Sequence, residues 1–107
     1  MKGTYLGEFE ELVLLTVAVQ NGEAYGVSIA TMLVEEAQRT VTISTVHNVL
    51  YRLEEKGFVK SRLGGATAAR GGRNKRLFSI TSTGHAALNQ SNKLRNRLWN
   101  LIPELKF

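Results

Sequence analysis

The sequence has 107 residues, with 14 Lys plus Arg against nine acidic residues, all of them Glu, and no Cys. That length fits one domain, and the missing thiols exclude disulfides, thiolate metal sites and thiol catalysis. The longest apolar stretch, Leu12 to Val19, is interrupted by Thr16 and falls far short of the roughly 20 residues of a membrane span. Met1 to Tyr5 carries no apolar signal core, so the cytoplasm is the compartment expected. The charges are divided along the chain: residues 1–55 sum to −5, and residues 56–107 sum to +10. A basic half implies a polyanionic partner, nucleic acid or an anionic surface, unless it is simply a solvated face.

Glu8 to Gln20 reads as a first helix. Phe9, Leu12, Val13, Thr16 and Val17 make one apolar stripe at helical spacing, while Leu14, Leu15 and Ala18 add apolar surface on a second side. A surface helix needs one stripe, so this helix is expected to meet a second surface besides the core. Asn21-Gly22 supplies a C-cap. Tyr25-Gly26 leads into a second helix over 27–38, with Ile29, Met32, Leu33 and Ala37 inside. Thr42 is the expected N-cap of a third helix, whose apolar face is Val46, Val49, Leu50 and Leu53. Gly57 stops it, and Phe58 folds back on Leu53. Its outward face carries Ser44, Thr45, His47, Asn48, Tyr51 and Arg52.

A hairpin follows. In 59–63, Val59 and Leu63 share one face and Lys60 and Arg62 the other; in 76–80, Phe78 and Ile80 point inward. The linking stretch, 64–75, holds four Gly among small and basic residues, which marks a loop. A last helix opens at Ser82-Thr83-Gly84 and runs to about Ile102, where Pro103 disfavours helical geometry. The order of helix, helix, helix, hairpin, helix predicts a mainly α, winged helix-turn-helix fold, one domain over 1–107. In such a fold the third helix presents side chains to a major groove. Lys56, Lys60, Arg62, Arg70, Arg73, Lys75 and Arg76 supply charge for the phosphates, with no acidic residue between Lys56 and Glu104.

Three stretches carry a resemblance: Glu23-Ala24-Tyr25-Gly26; Thr45-Val46-His47-Asn48-Val49-Leu50-Tyr51-Arg52-Leu53-Glu54-Glu55-Lys56-Gly57-Phe58-Val59; and residues 70–84, beginning Arg70-Gly71-Gly72-Arg73. Together they resemble the short form of the PadR-like family of bacterial transcriptional regulators. The family often has Gly-Thr or Gly-Ala at Ser44-Thr45, Tyr at His47 and Pro at Asn48, so a relative's operator does not transfer to this chain. The resemblance implies a homodimeric repressor that binds a palindromic operator in double-stranded DNA, with the first helix (8–20) and the last (82–102) forming the dimer interface. The residues support this separately. Leu94, Leu98, Leu101 and Leu105 follow a four-three-four spacing like a short coiled-coil seam, and Leu12 and Leu15 offer the first helix's surplus face. Both stripes could alternatively close the monomer core.

Among the remaining residues, His47 is read as a DNA-facing donor and Tyr25 as helix packing. His47 and His85 lie on different helices with neither Cys nor Asp anywhere in the chain, which does not make a metal site. Trp99 adjoins the leucine seam, as an interface aromatic or as a wall of a pocket for a planar aromatic effector; the latter is what some family members imply. The adjacent pairs Glu10–Glu11, Glu35–Glu36 and Glu54–Glu55 point about 100° apart on helices and read as solvated faces. No nucleophile elbow, phosphate loop or His-Glu-x-x-His occurs, so no enzyme activity or cofactor is expected. The rival readings are a winged-helix protein–protein adaptor without operator binding and an RNA-binding winged helix.

Overall fold

The computed structural model describes residues 6–64 and 75–104. Its elements, in order, are α1 (Glu8–Gln20), α2 (Gly26–Ala37), α3 (Ile43–Glu55), β1 (Val59–Leu63), β2 (Arg76–Ile80) and α4 (Ser82–Leu101). Local chemistry sets most of these boundaries. Asn21 and Gly22 end α1 at φ 51° and 89°, left-handed values that Asn tolerates and Gly adopts freely. The Thr42 hydroxyl accepts from the Thr45 amide at 3.1 Å and starts α3. Gly57, at φ 80°, ends α3, and the Phe58 amide donates back to the Leu53 carbonyl at 2.9 Å. The helix α2 begins one residue earlier than the sequence indicates and stops at Ala37, because Gln38 takes the left-handed cap position at φ 54°. The helix α4 stops at Leu101, since Ile102 is extended ahead of Pro103.

The core is one cluster. Val13, Leu14 and Val17 of α1, Ile29 and Leu33 of α2, and Val46, Val49, Leu50 and Leu53 of α3 meet Phe58, Val59, Phe78 and Leu88. Truncating a fully buried member such as Leu50 to Ala should cost about 2–5 kcal/mol. Leu14 belongs to this core, although its position in the sequence pattern assigns it to the second side of α1. The surplus apolar face is narrower than expected and consists of Leu12, half-buried, with Leu15 and Val19, exposed.

The strands pair antiparallel from Val59↔Ile80 to Leu63↔Arg76. Leu63 does not share Val59's burial. It is exposed at the outer end of the hairpin, beyond the reach of the core, while Leu77, on the face opposite Phe78, is covered. Leu77 packs so close to Gly64 that a Cβ on residue 64 would stand 2.8 Å from its Cδ1. The α1–α2 turn adds a third edge to the sheet: the Phe78 amide donates to the Ala24 carbonyl at 2.7 Å. At the other end, Thr81 caps α4, accepting from the Gly84 amide and donating to the Gly57 carbonyl at 2.7 Å. Gly84 lies against the Phe58 carbonyl, where a Cβ would overlap the backbone. These contacts fix the hairpin and the start of α4 to the end of α3, giving a winged helix-turn-helix.

Candidate nucleic-acid interface

With its apolar face in the core, α3 leaves Ser44, Thr45, Asn48, Tyr51 and Arg52 exposed. The Ser44 and Thr45 hydroxyls lie 3.3 and 2.8 Å from that of Thr42, so three hydroxyls gather beside the positive end of the helix dipole. His47, read from the sequence as a DNA-facing donor, is less open than its neighbours on this face. It is half-buried, and its Nδ1 is buried without a hydrogen-bond partner among the described residues. Its ring leans over the start of α2, where a Cβ at Gly26 would stand 2.7 Å from Nε2. On the other side the Tyr51 ring is 6.0 Å away, centre to centre.

The wing meets this patch at its root. The Lys75 ammonium stands 4.4 Å from the centre of the Tyr25 ring, a cation–π contact. Tyr25 immediately precedes Gly26, so Lys75, Tyr25, Gly26, His47 and Tyr51 form one connected strip from the hairpin to α3. Lys60 is exposed. Arg62 approaches the Gly22 carbonyl at 3.4 Å and Glu23 at 3.7 Å. Arg76 donates to the Ser61 hydroxyl, which donates to Glu54. The other two wing residues singled out in the sequence, Arg70 and Arg73, lie outside the described residues. Arg52, placed by the sequence on the outward face of the third helix, is exposed but reaches Glu10 at 3.4 Å.

The acidic first turn of α1 departs from the sequence pattern. Glu10 and Glu11 do not form a solvated face; their side chains are only 12% and 14% exposed. Glu10 accepts from Lys56 at 2.8 Å and from the Gly7 amide at 2.9 Å. Burial pushes its carboxyl up, but the bonds from Lys56 and Gly7 and the Lys56 charge outweigh that and hold it below the usual 4.5. Glu11 accepts from Arg95 at 2.8 Å and from Ser91 at 3.0 Å. Glu8 forms a bidentate pair with Arg39, which lowers its pKa. A run of Glu in a first turn is accounted for by the helix dipole alone, so no local signal in the sequence names these partners.

The model of the transcriptional regulator PadR-like family matches residues 14–90. The chain belongs to the PadR-like family. Membership makes it a DNA-binding transcriptional regulator. Among solved structures, it is similar to a PadR-like transcription factor from bacteroid fragilis, with 21% identity, a TM-score of 0.73 and coverage of 86% of this chain and 84% of that one. A PadR-like regulator from Bacillus cereus gives 20% identity and a TM-score of 0.66, over 91% and 93% of the two chains. Bacillus subtilis PadR in complex with operator DNA gives 18% identity and a TM-score of 0.65, over 92% of this chain and 51% of that one. The search of curated protein sequences returns no match. At these identities the structural likeness establishes the winged-helix fold.

Two apolar surfaces of this PadR-like chain are left open. Beyond Leu88, α4 buries little: Leu94, Leu98 and Leu101 are exposed, and Trp99 is 73% exposed. Leu105 of the seam lies outside the described residues. Separately, α1 and α2 enclose a groove of about 390 Å³ lined chiefly by Leu12, Leu15, Thr16, Val19, Met32 and Leu33. No helix among the described residues is long and apolar enough to cross a membrane.

Proposed function

We propose that this PadR-like protein is a homodimeric repressor of a palindromic operator. The observation that carries the proposal is the connected strip from Lys75 through Tyr25 and His47 to Tyr51, which sets the wing root beside α3. Ser44, Thr45, Asn48 and Tyr51 would read base edges in the major groove, and Asn is suited to a bidentate contact with adenine. Lys60, Arg62, Arg70, Arg73, Lys75 and Arg76 would lie along the phosphates, with His47, between Gly26 and Tyr51, at the junction of α2 with the DNA-facing side of α3. The operator complex of the Bacillus subtilis relative supports duplex DNA as the ligand.

Two features support the dimer. A large, exposed apolar stripe on α4 is uncommon in a monomer, and the groove formed by Leu12, Leu15 and Val19 is an apolar surface able to receive it from a second copy. A palindromic operator matches the two-fold axis such a pair would have. Trp99 then stands where a planar aromatic effector could enter between subunits. Selection of bound sequences from random duplex DNA, with sedimentation of the free protein, tests the reading. A two-fold symmetric consensus and a dimeric mass are expected. No enrichment of any sequence would overturn operator binding and leave the adaptor reading.

A further inference from the structure

Glu10 and Glu11 are neighbours on one turn of α1, yet they hold two different helices. Glu10 grips the end of α3 through Lys56 and Arg52. Glu11 grips the middle of α4 through Ser91 and Arg95. The helix α4 is also fastened at its start, where Thr81 donates to the Gly57 carbonyl and Gly84 lies against the Phe58 carbonyl, and Leu88 seats it in the core. Beyond Leu88 its side chains are largely exposed, so the first two turns form the seat about which the outer part would turn. Ser91 lies nine positions beyond Ser82, roughly 14 Å along the axis at 1.5 Å per residue, and the exposed leucines lie further out. A small swing about this seat is therefore magnified at Leu98 and Leu101 unless something holds the helix beyond Leu88.

We propose that Glu10 and Glu11 are a positioning pair that fixes the angle between α3 and α4. In the dimer proposed above, on which this second consequence rests, the same pair sets the separation of the two α3 helices and so the half-site spacing that the regulator accepts. The side chains suit the task. Both carboxylates are largely buried against their partners, which restricts the geometries that preserve their hydrogen bonds. They diverge by about 100°, so one rigid turn passes the orientation of one helix to the other.

The chain has no Cys, so a spin-label pair can be introduced cleanly with Glu55→Cys on α3 and Asn100→Cys on α4, diluted with excess unlabelled protein to isolate distances within one chain. A narrow distance distribution is expected for the parent. Glu11→Arg should broaden it, and adding Arg95→Glu should narrow it again; Glu10→Gln should broaden it with little change in far-ultraviolet helicity. With DNA, Glu11→Arg should reduce the discrimination between the best half-site spacing and one shifted by a base pair by about threefold or more, and the reversed pair should recover it. Unchanged distributions in both single variants would overturn the positioning role. Distributions that broaden and recover while the parent shows no spacing preference at all would support the positioning pair and overturn the dimeric operator reading instead.

Discussion

His47 lies over Gly26 so closely that a methyl group on residue 26 would stand 2.7 Å from its Nε2 and 3.2 Å from the Ile43 Cγ2. This joins the start of α2 to the first turns of α3, the junction that orients a helix-turn-helix. Gly26→Ala should therefore destabilise the fold by about 1–3 kcal/mol through overpacking, although Ala is the better helix former. His47→Ala should open the space, so the double variant should be more stable than the sum of the two single changes allows. Urea denaturation of the four proteins measures this coupling. Additive losses would mean that the ring moves aside without cost.

The lowered pKa of Glu10 predicts an acid sensitivity with a definite sign. A carboxyl held below 4.5 in the folded state contributes stability that is fully present above that value. The contribution is lost as pH falls through the folded-state pKa. The parent should lose stability on acidification below about pH 4.5, and Glu10→Gln should lose less over the same interval because position 10 no longer titrates. At pH 7 the variant should be weaker by about 1–2 kcal/mol, since charge-assisted bonds to Lys56 are removed. Denaturation midpoints at pH 7, 5, 4 and 3 give both quantities. Glu8 is also lowered, but its pair with Arg39 is exposed and should add little. Parallel curves for parent and variant would place the acid sensitivity elsewhere.

The elements were legible in the sequence because their punctuation is local. Asn21-Gly22, Thr42, Gly57 and Pro103 each act within a few residues, and the structure shows each at its expected boundary. Side-chain destinations were less legible. Periodicity could not tell that Leu14 is core and Leu63 is exposed, because that depends on where α2 and the hairpin end lie in space. The departure at Glu10 and Glu11 has the same origin. Their partners, Lys56 and Arg95, are remote in sequence, and no spacing rule links them. On the candidate interface, the polar face of α3 follows directly from its apolar one. The half-burial of His47 does not, since it follows from the approach of α2 at Gly26.

Base reading and phosphate binding should separate at two residues. Asn48 is exposed on α3 and off the core face, so Asn48→Ala should leave stability within about 0.5 kcal/mol. It should reduce affinity for the selected operator by roughly 1–3 kcal/mol relative to scrambled duplex. Lys60 is exposed on β1, and Lys60→Ala should weaken both DNAs alike. It should also lower the slope of log affinity against log salt by about one for each phosphate that is no longer neutralised. Titrations at several salt concentrations distinguish the two patterns. Equal losses on both DNAs for Asn48→Ala would remove it from base reading, and an unchanged salt slope for Lys60→Ala would place that ammonium in solvent.

Leu98 gives the sharpest test of the proposed dimer, because it is exposed in the single chain and lies away from the core. Leu98→Glu should therefore leave the fold of one chain intact. In a dimer, the same change would bury a carboxylate in an apolar seam at two symmetric positions, costing several kcal/mol at each. The expected result is a monomer by sedimentation with unchanged helicity. Operator affinity should also fall by about a hundredfold or more, because the two half-sites are no longer bound by linked units. Trp99, the only Trp of the chain and adjacent to Leu98, should report the separation as a red-shifted emission on full hydration. The effector proposal uses the same fluorophore. Planar aromatic compounds should quench Trp99 in the parent more strongly than in Leu98→Glu if the pocket requires both subunits. They should weaken operator binding only to the extent that they prefer the arrangement that does not bind DNA. A dimeric Leu98→Glu would refute the seam, whereas a parent whose emission and DNA affinity both ignore the compounds would refute the pocket and leave the repressor reading standing.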